Sequence, residues 1–170
     1  MDPSHPVVLL FSHKPAMVTA MLGVIKAGGW YAPLDPAYPT ARNTAIVREI
    51  GASLVLTDDE GLASAYSLGF SEDQVINLDA LEEFSEEGNL CLATSPVTPV
   101  CILYTSGSTG SPKGVVLDQQ AILHRVMLYT NDFAIGPDDR LALLQSYVFN
   151  ASIRDIFAAL LNGAGCLGRL

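Results

Sequence analysis

The first apolar block of the chain, Val7–Phe11, is a continuous run of five that gives way to Ser12 and His13, the pattern of a strand buried on both faces. Behind it Met17, Ala20, Met21, Val24 and Ile25 recur at i, i+3, i+4, i+7 and i+8, which predicts an amphipathic helix. Pro15 suits that helix's first turn and Gly28-Gly29 its end. Trp30–Leu34 repeats the strand pattern and closes on two turn signals, Asp35-Pro36 and Tyr38-Pro39. Ala41–Ile50 predicts a second helix ending at Gly51, and Ser53–Thr57 a third strand. Strand, helix, strand, helix, strand in that order predicts an α/β fold, with a parallel βαβ-type sheet flanked by helices.

The second half resumes the alternation. Val100–Tyr104 and Val115–Leu117 read as strands on either side of a polar loop. Ile122, Leu123, Val126, Met127 and Thr130 mark a helix, Leu141–Leu144 a strand, and Ile153, Ile156, Phe157, Leu160 and Leu161 a last helix. Ser152 with Asp155 three residues on resembles a capping box at that helix's start, with Asp in place of the usual Glu or Gln. Past Gly163-Ala164-Gly165, CLGRL looks like an entering strand to which the sequence assigns no partner. Between the halves, 58–99 is less regular and offers one candidate strand, Gln74–Leu78.

Composition refines this picture in two places. The 170 residues are 49% hydrophobic, enough for the core of one domain. The net charge of −9 is local: ten acidic residues and no Lys or Arg fall between Asp58 and Glu87, while elsewhere eight acids face nine bases. Such a run reads as an acidic surface segment, about 58–99. With no basic stripe, nucleic acid is excluded as the main ligand. No apolar run approaches the roughly 20 residues that cross a bilayer, and MDPSHPVVLLF lacks the charged and apolar regions of a signal peptide, so no membrane partner and a cytoplasmic location are expected. Cys91, Cys101 and Cys166 are expected as reduced, mostly buried thiols, and the scattered His5, His13 and His124 give no expected metal site.

The loop is the chemically distinctive segment. YTSGSTGSPKG, Tyr104–Gly114, holds three glycines, five hydroxyl-bearing Ser and Thr side chains and a lysine between apolar runs. Glycine lets backbone N–H groups turn inward, Ser and Thr add donors and lysine adds charge, a combination that cradles phosphate oxygens. A plain hairpin turn is the alternative, but it needs only two to five residues with Gly or Asn. The Walker pattern fails because Lys113 is preceded by Pro112 and followed by Gly114, and the dinucleotide fingerprint fails because the glycines stand at 107, 110 and 114.

YTSGSTGSPKG resembles the phosphate-loop motif of the AMP-forming adenylating enzymes, which include acyl-CoA synthetases, luciferases and the adenylation domains of nonribosomal peptide synthetases. LGVIKAGGWYAPLDPAYP is similar to the second core motif of the peptide-synthetase branch and FNASIRDIFAALLNGA to the fourth, in the family's order. The resemblance implies an incomplete portion of the adenylating-enzyme N-terminal lobe: a partial AMP-binding domain over 1–170. It implies attack of a carboxylate on the α-phosphate of ATP, release of pyrophosphate, and transfer of the acyl group to a phosphopantetheine thiol on a carrier-protein domain. By motif matching, Thr105, Ser106, Gly107, Ser108, Thr109, Gly110 and Lys113 would hold the phosphates while Mg2+ screens them, and Phe149, Asn150 and Arg154 would line the pocket for a small carboxylic acid. An acyl-CoA synthetase-type ligase, or a non-catalytic phosphate-binding remnant, is the alternative.

One position departs from the family pattern. Where α-amino-acid activators carry an aspartate that pairs with the substrate ammonium, this chain has Asn150, which implies an acid without an α-amino group or an altered amine contact. Arg154 lies off the apolar stripe of its helix and points either into the pocket or into water. The family's adenine segment, ribose aspartate and C-terminal lysine have no counterpart in these residues, so no catalytic residue is assigned, and the chain is expected not to complete adenylation by itself.

Overall fold

The computed structural model describes residues 4–81, 88–106 and 112–168, with Ser106 given by its backbone. The expected βαβαβ order is realised by β1 (Val7–Leu10), α1 (Pro15–Lys26), β2 (Tyr31–Leu34), α2 (Thr40–Ile50) and β3 (Val55–Thr57). Then follow α3 (Leu62–Ser67), β4 (Val75–Asn77), β5 (Pro99–Ser106), β6 (Pro112–Asp118), α4 (Gln119–Phe133), β7 (Arg140–Leu143), α5 (Asn150–Asn162) and β8 (Gly165–Gly168). Six strands form one sheet in the order β4-β3-β1-β2-β5-β6, parallel throughout except for β6, which returns antiparallel to β5.

β1 sits in the middle of its sheet, and its run of aliphatic residues follows from that position. Val8, Leu9 and Leu10 are fully buried. Val7, Leu9 and Tyr31 face the layer built by Met17 and Met21 of α1 with Ile153 and Ile156 of α5. Val8, Leu10 and Leu34 face Ile46 of α2 and Ala65 of α3. Each such side chain contributes about 1.5–3 kcal/mol of apolar burial, so covering both faces is what makes the sheet worth forming.

Several expectations change. β8 has a partner after all, pairing in parallel with β7 from Arg140–Gly165 to Leu143–Gly168 as a second, two-stranded sheet. α5 is the crossover between them, a connection that sequence periodicity could not supply. The capping box at Ser152 and Asp155 is not formed. α5 starts earlier, at Asn150 with Phe149 as N-cap, and Ser152 is buried inside the first turn, donating its hydroxyl to the Phe149 carbonyl at 2.6 Å. Only one of the three thiols is buried, Cys101, while Cys91 and Cys166 are exposed. On α4, Ile122 and Val126 are buried but Leu123 and Met127 are about half exposed, as are Leu160 and Leu161 of α5. Within the acidic segment, Asp58 is buried and Glu82, Glu83, Glu86 and Glu87 lie outside the described residues.

Candidate functional site

The β5–β6 hairpin carries the predicted phosphate loop. Its register pairs Leu103 with Val115, Tyr104 with Gly114, Thr105 with Lys113 and Ser106 with Pro112. Thr105 and Lys113 therefore stand opposite each other, both exposed, with the Thr105 hydroxyl donating to the Lys113 carbonyl at 3.4 Å. Lys113 makes no ion pair among the described residues. Gly107, Ser108, Thr109 and Gly110 lie outside the described residues. Gly114 has a steric reason: a Cβ there would meet Ile102 Cδ1 at 2.7 Å and Tyr104 Cζ at 3.1 Å. Because β5 is parallel to β2, the hairpin tip leaves the sheet at its carboxyl edge, where open α/β sheets bind their ligands.

The same edge holds a second polar cluster, built around the turn after β2. Asp35 Oδ1 accepts from the Ala37 amide at 2.9 Å, the Asx turn that lets the chain reverse after β2. Its Oδ2 accepts from the Ser146 hydroxyl at 2.9 Å, and its carbonyl accepts from Asn43 Nδ2 at 2.9 Å. Beside it Tyr147 donates to the Lys14 carbonyl at 2.8 Å and stacks on the His13 ring with centroids 4.6 Å apart. Burial, and secondarily Cys166, pushes the Tyr147 phenol up to about 12, which keeps it a hydrogen-bond donor at neutral pH. Between these groups lies a cavity of about 120 Å³ walled by Phe11, Met17 and Leu34. In the neighbouring crevice Lys14 pairs with Glu60 at 2.7 Å and with buried Asp58 at 3.2 Å, so its ammonium is held above the usual lysine range, chiefly by Glu60.

Phe149, Asn150 and Arg154 come together at the start of α5. Phe149 is half exposed. Asn150 and Arg154 line a cavity of about 50 Å³ between β6, α4 and α5, with Leu117, Ile122 and Ile153 as its apolar walls and Arg125 at its rim. Arg154 points to this cavity in a fixed pose. Its Nε donates to Asp155 Oδ1 at 2.8 Å, and its guanidinium lies 4.2 Å above the Tyr129 ring.

The two predicted groups are thus joined through β6, which has Lys113 near its start and Leu117 on the cavity wall. Four residues of extended strand separate them by roughly 14 Å. Arg125, Ser146 and Tyr147 were not among the expected site residues. Arg125 becomes visible only when α4 and α5 pack, and 144–149 carries no periodic signal at all. Among the described residues, no group of three or more His, Cys, Asp or Glu could hold a metal ion.

A family model described as "AMP-binding enzyme" matches residues 1–167. The chain is 37% identical over 164 residues to surfactin synthase subunit 1 of Bacillus subtilis, covering 95% of this chain and 4% of that protein. It is 37% identical over 175 residues to HC-toxin synthetase of Cochliobolus carbonum, covering 97% and 3%. It is 31% identical over 166 residues to tyrocidine synthase 3 of Brevibacillus parabrevis, covering 97% and 3%. Among solved structures, the AMPPNP-bound form of the nonribosomal peptide synthetase FmoA3 superposes with a TM-score of 0.87 at 29% identity, over 100% of this chain and 18% of that one. The chain therefore spans a small part of the length of each of these proteins.

Proposed function

The chain belongs to the family of AMP-binding enzymes, and we propose that it supplies the triphosphate grip and part of the acid pocket of a ligase that activates a small carboxylic acid as its acyl-adenylate. The observation that carries this reading is the opposition of Thr105 and Lys113 at the carboxyl edge of a parallel sheet, with Lys113 exposed and without an ion pair among the described residues. In it Thr105, Ser106, Gly107, Ser108, Thr109, Gly110 and Lys113 hold the phosphates of ATP, whose charge the lysine offsets. The substrate carboxylate forms a bond to the α-phosphorus and the bond to the pyrophosphate oxygen breaks. The leaving charge then falls on the group that the loop holds. Mg2+, when bound, would screen that charge. Phe149, Asn150 and Arg154 face the acid.

In the whole ligase the acyl group passes to the phosphopantetheine thiol of a carrier-protein domain, and residues 1–170 form a partial adenylation domain with 58–99 as its acidic surface segment. Alone, this chain binds nucleotide without turnover. Calorimetric titration of the purified chain with ATP tests the reading: the triphosphate should bind more tightly than AMP, and Lys113→Ala should weaken ATP about tenfold while leaving AMP little changed. Equal affinities for ATP and AMP would remove the grip. Robust pyrophosphate release with any carboxylic acid would overturn the absence of turnover.

A further inference from the structure

The start of α5 breaks two rules of helix construction at once. Its N-cap is Phe149, whose side chain offers no acceptor to the first-turn amides, and its first turn holds no acidic residue. Instead two arginines, Arg125 from α4 and Arg154 from α5, line the small cavity beside it with Asn150. Arg154 is pinned by Asp155 and by the Tyr129 face. Arg125 makes no ion pair or hydrogen bond among the described residues, nor does the Asn150 side chain. No carboxylate lines the cavity. Two guanidinium groups are thus set at one cavity with a single acid, Asp155, to balance them, and the positive end of α5 has the same sign. Departures of this kind from local rules are expected where a ligand completes the structure.

We propose that this cavity receives an anionic group, the second carboxylate of a dicarboxylic acid, with Arg125 and the free edge of Arg154 as donors and the Asn150 amide as a neutral third partner. The inference rests on the reading that the start of α5 faces the acid to be activated, and it names the class of that acid. At about 50 Å³ the cavity holds a carboxylate and little more. Leu117, Ile122 and Ile153 surround the charged rim with apolar surface, which strengthens a carboxylate–guanidinium pair relative to open water. The arrangement disfavours an ammonium at the same place, because nothing there accepts a charge-assisted hydrogen bond except the Asn150 oxygen.

The test uses the full 170-residue chain and three probes of similar size: succinate, propionate and β-alanine, each titrated while the arginine Nε–H resonances are followed by NMR. Succinate should bind at least about fivefold more tightly than propionate and about tenfold more tightly than β-alanine. Arg125→Gln should remove most of that preference, and Arg125→Glu should invert it in favour of β-alanine. Arg125 is exposed, so both variants should keep the wild-type melting temperature; Arg154→Gln provides a second probe of the same pair. Affinities within twofold of one another for the three probes, or a succinate preference that survives Arg125→Gln and Arg154→Gln, would overturn the proposal. ATP titration of the same samples separates the readings: loss of ATP binding speaks against the phosphate grip, whereas loss of succinate selectivity with ATP binding intact speaks only against the dicarboxylate.

Discussion

Asp35 and Ser146 are 111 residues apart in sequence and 2.9 Å apart in the fold, the serine hydroxyl donating to the aspartate carboxylate. The turn that ends β2 is thereby tied to the loop that launches α5. A hydrogen bond to a carboxylate contributes about 1.5–3 kcal/mol when well formed, and less at a partly exposed position. Ser146→Ala should therefore cost about 1 kcal/mol. The midpoint of urea unfolding measures it, and a midpoint equal to wild type would mean that the bond carries no net stability.

Ala134 is the C-cap of α4 and sits in the left-handed region at φ 51°, ψ 41°. Its Cβ pays a steric cost there that glycine would avoid, about 1 kcal/mol. Ala134→Gly should raise the melting temperature by roughly 2–4 °C, the shift expected per kcal/mol for a chain of this size. A lower melting temperature would mean that the loss of helix propensity outweighs the relief of strain.

The three thiols should separate by reactivity. Burial pushes Cys101 up to about 12, and burial with the nearby Asp155 raises Cys166, whose side chain nevertheless reaches solvent. Only the thiolate reacts, so at pH 8 a disulfide reagent should consume exposed Cys91 first, Cys166 more slowly, and Cys101 only as the protein unfolds. A fast phase of three thiols would contradict the buried position of Cys101 against Tyr31.

Alkaline unfolding follows from the same groups. Cys101, Tyr104 and Tyr147 are each pushed to about 12, in every case chiefly by burial. The unfolded chain releases these protons near the ordinary values of 9 and 10, before the folded chain does. Stability present below about pH 9 is therefore lost progressively as pH rises toward 12. Urea midpoints at pH 8 and pH 10.5 should show the loss, and Tyr147→Phe should make it shallower. An unchanged slope in that variant would assign the alkaline loss to other groups.

How much of this was legible in sequence depends on what each feature needs. β1, α1, β2, α2 and β3 were legible because each buries a face and so imprints its own period. α3 was not, since Leu62–Ser67 is too short to show a stripe within an acidic stretch. The β5–β6 hairpin was legible because a polar, glycine-rich stretch stands between two apolar runs. The arginine pair was not: Arg125 and Arg154 share a cavity only through the packing of α4 on α5, and nothing in either helix alone announces it. The pairing of β7 with β8 was hidden for the same reason, as parallel strands meet only through the helix between them.

β2 meets β5 through a single registered pair, Tyr31 with Cys101, whereas it meets β1 through four, and Pro33 brings no N–H to the sheet. By registered pairs that junction is the seam of the six-stranded sheet. Pulled through β1 and β6 in an optical trap, the six-stranded sheet should part first between β2 and β5. It would release the β5–β6 hairpin from the βαβαβ half while β1 still holds its neighbours, so the proposed grip on nucleotide would slacken at a force that leaves the central sheet intact.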